Sequence, residues 1–171
     1  MNLTAPVLTG ARVLLRPHRA EDFERLAEIY AADRSKYIGG PLPKEVVWQN
    51  FTSDIGQWVL FGFGSWAIEE RKSGAYAGQT GLNFPVRYPE RELGWVLFEE
   101  FEGKGYAHEA ALLARTFAFE SLGWDQCVSY IDPDNRRSIR LAERLGAALD
   151  RGAATPNNEP CLVYRHKNPV L

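Results

Sequence analysis

The spacing of apolar residues predicts four helices separated by strand-like runs. Apolar positions repeat at i, i+3, i+4 and i+7 in residues 20–32, and a similar helical period follows over residues 48–58. Two more helices are predicted, an alanine-rich one over residues 107–121 and another over residues 135–145, which Gly146 ends. Short runs rich in β-branched and aromatic residues predict strands at residues 12–16, 65–71, 76–82, 92–98, 126–131 and 161–167.

The order of these elements is β-α-α-β-β-β-α-β-α-β-β. The turn residues Lys72, Ser73 and Gly74 join two of the strands and predict a hairpin. No repeat, linker or low-complexity segment interrupts the chain, and its 171 residues fit one domain. We therefore predict a single domain over residues 1–171.

Charge and composition exclude several classes of function. The formal net charge is −2, and the arginine-rich helix at residues 136–144 is flanked by acidic residues, so no nucleic-acid surface is expected. No run approaches the roughly 20 apolar residues of a membrane span, and the N-terminus lacks a signal-peptide pattern, which predicts a cytoplasmic protein without a membrane partner. Cys127 and Cys161 lie in apolar runs without metal-ligand spacing, so both are interpreted as core residues and no metal site is expected.

The stretch from residue 95 to residue 110 carries the most information about function. A strand runs through a short loop containing Gly103 and Gly105 directly into a helix. Glycines let successive N–H groups converge, and the first helical turn adds unpaired donors and a partial positive charge, which together suit a phosphate. The string is neither the P-loop pattern nor the G-x-G-x-x-G fingerprint. Taken alone, it favours a glycine turn that binds nothing.

At this loop the sequence resembles the GNAT acetyltransferase family, whose signature is Q/R-x-x-G-x-G/A. Glu102, Gly105 and Ala107 occupy the three defined positions, with glutamate replacing the usual glutamine or arginine. The wider string GKGYAHEA and the N-terminal string LTGARVLLRPHRAEDF are similar to the RimJ/RimL-like branch, the ribosomal-protein N-terminal acetyltransferases. Residues 135–146 are similar to the family's N-x-x-S-x-x-x-x-x-K-x-G segment. The resemblance thus spans nearly the whole chain.

The resemblance implies a mixed α/β GNAT fold. Its sheet would be twisted, mostly antiparallel, about seven strands wide and splayed where the donor enters, with helices on both faces. It also implies acetyl-CoA as the acetyl donor. The residues that would hold acetyl-CoA are Val96, Leu97, Phe98, Gly103, Lys104, Gly105, Tyr106, Ala107, His108, Asn135 and Ser138. Glu102 would place a carboxylate beside the pyrophosphate, so its side chain is expected to turn away.

Two residues are candidates for the chemistry of acetyl transfer. Glu92 matches a glutamate often found in this strand of the family and would take a proton from the amine; the alternative is a solvated carboxylate. Ser138 would protonate the departing thiolate or donate a hydrogen bond to it, and the alternative is a small residue packed under the sheet. Asn135 would orient the amide of the donor, or would only cap its helix. Ala142 stands where many relatives carry a tyrosine acid.

The acceptor is predicted to be a primary amine, on a protein N-terminus or a small molecule, and the slight acidity of the chain favours a basic one. Tyr37, Trp66 and Glu92 are predicted to wall its pocket. Direct attack without an acyl-enzyme is expected, because neither cysteine has a base partner. The alternative function is a domain that binds acyl-CoA as a sensor without catalysis. The chain is expected to act as a monomer or homodimer.

Overall fold

A computed structural model describes residues 4–169 and places eight strands and four α-helices among them. The strands are β1 (Leu8–Thr9), β2 (Val13–Arg16), β3 (Ser65–Glu70), β4 (Tyr76–Asn83), β5 (Glu92–Leu97), β6 (Gln126–Ile131), β7 (Ala148–Leu149) and β8 (Leu162–Lys167). The helices are α1 (Asp22–Ala31), α2 (Lys44–Phe61), α3 (Tyr106–Thr116) and α4 (Arg136–Arg144). Among these residues, no helix has the length and hydropathy that crossing a bilayer would require.

The strands form one sheet in the order β1-β2-β3-β4-β5-β6-β8-β7. Every neighbouring pair is antiparallel except β5 and β6, which are parallel. The predicted mixed α/β fold with a mostly antiparallel sheet is therefore confirmed. The described residues contain one strand more than the predicted number, because the short segment Leu8–Thr9 pairs with β2.

The predicted helices follow from local sequence, with differences at their ends. Phe23, Leu26 and Ala27 form the buried stripe of α1, as their spacing predicts. The predicted third helix is shorter as an α-helix than expected, because it ends at Thr116 and the segment Phe117–Ser121 continues as a π-helical turn. The predicted hairpin between β3 and β4 is confirmed, and Gly74 adopts the left-handed φ of 72° that this turn requires.

A buried ion pair fixes β2 to the start of α1. The Arg16 guanidinium donates to both oxygens of the Asp22 carboxylate, at 2.7 and 2.9 Å, and both side chains are almost fully buried. The Asp22 carboxylate also accepts the backbone N–H of Arg19 at 2.8 Å. Arg16 reaches Glu69 of β3 at 2.7 Å, so β2, α1 and β3 meet at one guanidinium.

Candidate active site

The sheet opens into a cleft between its two parallel strands. The register of β5 and β6 contains the pair Glu92 and Val128, where the Val128 N–H donates to the Arg91 carbonyl at 3.0 Å. Next to it, the Ser129 hydroxyl donates to the Leu93 carbonyl at 2.6 Å. Beyond this point the two strands have no further paired residues, so the remainder of β5 borders an open cleft. The predicted splay is at this position.

The alternation of the backbone decides which groups of β5 face this cleft. Arg91 and Leu93 direct their carbonyls towards β6, so by the period of two the backbone groups of Trp95 and Leu97 face the same side. They are left without a strand partner there. Phe98 faces the opposite side, because its N–H donates to the Ala77 carbonyl at 2.9 Å.

Val96, Leu97 and Phe98 are all expected to contact acetyl-CoA, but only one of the three has backbone groups that are free of other bonds. Val96 pairs with Gln79 of β4, and both backbone groups of Phe98 are bonded internally, its carbonyl accepting the Phe101 N–H at 3.0 Å. Of these three residues, Leu97 alone has backbone groups that face the cleft unpaired. Trp95, two residues earlier, also has unpaired backbone groups on this side.

The glycine loop lies between the end of β5 and the start of α3. Gly103 and Gly105 adopt positive φ values of 74° and 80°, which other residues rarely adopt, and Gly105 is the N-terminal cap of α3. The Glu109 N–H donates the first i to i−4 hydrogen bond of the helix, to the Gly105 carbonyl at 3.2 Å. The N–H groups of Tyr106, Ala107 and His108 precede it and have no intrahelical acceptor, which is the arrangement that binds a phosphate.

Arg12 and Glu109 hold this loop in shape. The Glu109 carboxylate accepts the Arg12 and Val13 backbone N–H groups, at 2.7 and 3.2 Å, and the Arg12 Nε at 2.9 Å. The same guanidinium donates to the Lys104 carbonyl at 2.6 Å and contacts the Gly105 carbonyl at 3.4 Å. Because the loop carbonyls are bonded to Arg12, they point away from the N–H side of the loop.

Replacing Glu109 with alanine is expected to weaken binding of acetyl-CoA by about 10-fold, because Arg12 would no longer fix the loop carbonyls. Isothermal calorimetry of the purified variant measures this directly. Glu120 lies exposed shortly after the same helix and provides the control, since Glu120→Ala removes one carboxylate without touching the loop. Equal affinities in the two variants would contradict the role given to Glu109.

Glu102 is held by arginines from two other segments of the chain. Its carboxylate is bound by the guanidinium groups of Arg34 and Arg137. These arginines come from the segment after α1 and from the first turn of α4, so the carboxylate joins the glycine loop to both. Glu102, where the family signature has glutamine or arginine, thus forms ion pairs with two arginines.

Asn135 and Ser138 lie on the opposite wall of the cleft, at the start of α4. The Asn135 side-chain oxygen accepts the Ser138 N–H at 3.2 Å, which is the helix cap that its position also suggested. The Ser138 hydroxyl accepts the Trp95 indole N–H at 3.2 Å and so keeps its own proton free to donate. Ala142, at the position of the absent tyrosine, is fully buried.

The cleft continues into a cavity of about 500 Å³. Its walls combine aromatic rings, amides and carboxylates: Tyr30, Tyr37, Asp54, Asn83, Arg87, Tyr88, Glu92, Trp95, Tyr130, Asn135, Ser138 and Cys161 are among the residues that line it. Of the three predicted acceptor residues, Tyr37 and Glu92 lie here. Trp66 does not.

Trp66 is a core residue. Its side chain is fully buried, its indole N–H donates to the Pro6 carbonyl at 2.8 Å, and its ring packs against the edge of Trp58. Successive residues of a strand project to opposite faces, and its neighbour Ser65 is the one that lines the cavity. The prediction that Trp66 walls the acceptor pocket is wrong for this reason.

The Glu92 carboxylate is partly buried and faces the cavity. Burial, the largest effect, raises its pKa to about 7; the negative charge of Asp54 adds to this rise, and the Asn83 hydrogen bond and the Arg87 charge oppose it. The Asn83 amide donates to this carboxylate at 3.1 Å. A carboxylate with a pKa near neutrality can accept a proton and release it again at physiological pH.

Asp54 is a residue of this site that the sequence pattern did not reveal. It lies on α2, where it accepts hydrogen bonds from the Ser65 hydroxyl at 3.3 Å and from the Gln57 amide at 3.4 Å. Burial raises its pKa to about 7, while Ser65 and the Arg87 charge lower it. The cavity thus holds two carboxylates whose pKa values are both raised.

The two cysteines differ in position. Cys127 is buried, and burial raises the pKa of its thiol to about 12. Cys161 is only partly buried and lines the cavity, so its interpretation as a core residue is wrong. Burial and the charge of Glu92 also raise the pKa of Cys161, which keeps it a neutral thiol and a poor nucleophile.

A splayed parallel pair, an anion-binding helix start and a carboxylate beside one cleft are the features of an acyltransferase. Residues 12–148 match the acetyltransferase (GNAT) domain family, and the chain belongs to that family. It is 30% identical over 111 residues to YkkB of Bacillus subtilis (strain 168), itself an uncharacterized protein, and this match spans 63% of each chain.

Solved structures agree with this assignment. The chain is similar to the crystal structure of an acetyltransferase from Agrobacterium tumefaciens str. C58, with 41% identity, 96% of each chain covered and a TM-score of 0.93. It shares its fold with RimL, a ribosomal L7/L12 alpha-N-protein acetyltransferase in complex with coenzyme A, at 17% identity and a TM-score of 0.73, covering 95% of this chain and 98% of that one.

Proposed function

We propose that this protein is an N-acetyltransferase that moves the acetyl group of acetyl-CoA to a primary amine by direct attack. The observation that carries this proposal is the order of three features along one stretch of chain: the Glu92 carboxylate at the cavity, the unpaired backbone of β5, and the free N–H groups at the start of α3. Acetyl-CoA supplies the activated acetyl thioester.

The residues present fit this donor. The N–H groups at the start of α3 are placed for its pyrophosphate, and the backbone of Trp95 and Leu97 is placed to bond the pantetheine amides. Asn135 retains its amide N–H donors for the same arm, since its cap uses only the side-chain oxygen. These contributions would bind the donor and direct its thioester towards Glu92.

The proton transfers then follow from the residues around the thioester. Glu92 removes a proton from the acceptor ammonium, which leaves a neutral amine able to attack the carbonyl carbon. A backbone N–H of β5 at Trp95 or Leu97 stabilises the negative oxygen that develops. As the C–S bond breaks, Ser138 relays to the sulfur the second proton that the attacking nitrogen loses, or it only donates a hydrogen bond to the thiolate; a thiol pKa of about 8.5 needs no stronger acid.

We also propose the finer assignments that the sequence suggests: a single acetyltransferase domain, a cytoplasmic location, a monomer or homodimer, and membership of the RimJ/RimL-like branch. The N-terminal string and the string GKGYAHEA support this branch. The acceptor amine would then belong to a protein N-terminus or a small molecule.

Calorimetry of acetyl-CoA binding, followed by CoA release with a panel of amines in the same preparation, tests the proposal. Binding with turnover on one class of amine would support it and identify that class. Binding without turnover of any amine would favour the alternative of a sensor that has lost catalysis. Failure to bind acetyl-CoA would overturn the proposal itself.

A further inference from the structure

Asp54 has no role in the proton transfers of the proposed reaction, yet it faces the same cavity as Glu92. It is carried by α2, whereas Glu92 begins β5. Two carboxylates in one cavity repel each other, which is why the charge of Asp54 contributes to the raised pKa of Glu92. One proton acceptor is enough for one amine, so Asp54 needs a separate explanation.

Neither carboxylate is in an ion pair among the described residues, although the Arg87 charge acts on both. Within residues 4–169, no lysine, arginine or histidine nitrogen lies within 4.0 Å of Asp54 or Glu92. Two other carboxylates that are partly or fully buried are in ion pairs: Asp22 with Arg16, and Glu90 with Arg165 at 2.6 Å. Buried charges are normally paired because an uncompensated one is costly, so the cavity is complementary to a ligand that brings positive charge.

The hydrogen bonds between the two carboxylates do not form a path for protons. The Ser65 hydroxyl is within 3.3 Å of Asp54 and 3.5 Å of the Asn83 oxygen, and the Asn83 amide donates to Glu92. An amide can bridge two groups but does not exchange a proton as a carboxyl or imidazole does. The bridge therefore fixes the positions of the two carboxylates without passing a proton between them.

The other charged residues of the cavity do not cancel its excess of negative charge. Asp132 and Glu159 add two carboxylates to its walls, while Lys36 and Arg87 bring two cations. Four carboxylates therefore face two cations. A cavity of about 500 Å³ is also in the size range of small-molecule sites.

Resting on the proposed function, we propose that Asp54 binds a second cationic group of the acceptor, so that the acceptor is a small molecule with at least two amino groups. The reacting amine transfers its proton to Glu92, while the second amine stays protonated and is held by Asp54. Asp54 is then a specificity-determining residue, and a monoamine of equal length is a poor acceptor.

The test compares 1,4-diaminobutane and 1-aminobutane as acceptors at pH 8.5, where both carboxylates are ionised and the amines remain largely protonated. The wild type is expected to prefer the diamine in kcat/KM by about 10-fold or more, as for a hydrogen bond to a charged group. In Asp54→Asn this ratio should fall to near one. Glu45→Gln is the matched control, since it removes a carboxylate from the exposed first turn of the same helix.

A wild type without preference for the diamine would overturn the inference, and so would an Asp54→Asn variant that keeps the preference. Both outcomes leave acetyl transfer itself intact. If neither amine is acetylated although acetyl-CoA binds, the proposed function is decided by the wider panel of amines described above. The role of Asp54 is then decided by calorimetry, which compares the affinities of the CoA complex for the diamine and the monoamine. This ratio of affinities requires no turnover.

Discussion

Replacing Glu92 with glutamine is expected to lower kcat/KM for the amine acceptor by about 100-fold or more, because the reacting amine loses its proton acceptor. Glutamine has the same length and can still accept the Asn83 hydrogen bond, so the cavity should keep its shape. Acetyl-CoA affinity should be unchanged, since the donor is held by β5 and the glycine loop. Steady-state kinetics and calorimetry on the same preparation measure the two effects separately.

The pH dependence sharpens this expectation. A base must be ionised to accept a proton, so activity that depends on Glu92 should be lost as pH falls through its pKa of about 7. The ratio of wild type to Glu92→Gln cancels the titration of the amine itself and should rise through pH 7 to a plateau. Asp54, Arg87, Tyr88 and Tyr130 surround this carboxyl, and Asp54 is the neighbour whose charge raises its pKa. Asp54→Asn should therefore move the rise to lower pH, and Glu45→Gln should not.

Stability provides the control for Glu92→Gln. A carboxyl whose folded-state pKa is raised destabilises the fold once pH exceeds its unfolded value near 4.3, increasingly up to about 7. Urea unfolding at pH 8 should therefore give the glutamine variant a free energy of unfolding that is higher than that of the wild type by about 1–3 kcal/mol. A variant that is inactive and less stable would contradict the catalytic role, as would a fully active one.

The fold could be predicted from the sequence because its evidence is local. The period of apolar residues, the Gly74 turn and the glycine loop before α3 each depend on neighbours within a few residues, and the structure contains all of them. The expectation of a mostly antiparallel sheet came from the family resemblance, with which this order of elements agrees. The added strand β1 has only two residues, too few to give a pattern.

The site could be predicted only where it coincides with such a motif. Glu92 and Ser138 were found through strand alternation and family resemblance, whereas Asp54 reaches the cavity through the packing of α2, which no spacing in the sequence reports. Trp66 was misplaced for a related reason. Which face of a strand lines a cleft, and which backbone groups are free, depends on the strands that pair with it.

Replacing Asp22 with alanine is expected to have the largest effect on stability, lowering the free energy of unfolding by about 3–5 kcal/mol. Burial alone would raise the pKa of the Asp22 carboxyl, but the hydrogen bonds from Arg16 and the Arg19 N–H outweigh it and hold the pKa below its ordinary value. Alanine would leave the Arg16 guanidinium buried with Glu69 as its remaining carboxylate. Urea unfolding at pH 7 measures the loss.

Glu24 supplies the matched control for this variant, since it lies in the same first helical turn but is exposed and pairs with Lys44 at the surface. Glu24→Ala should cost less than about 1 kcal/mol, as exposed ion pairs do. The contribution of Asp22 should be complete above its unfolded pKa of about 3.9 and be lost as pH falls below it, because the pKa is depressed in the folded state. Equal losses in the two variants would show that the buried pair does not fix β2 to α1. The pair would then also not determine how α1 approaches the sheet that carries the site.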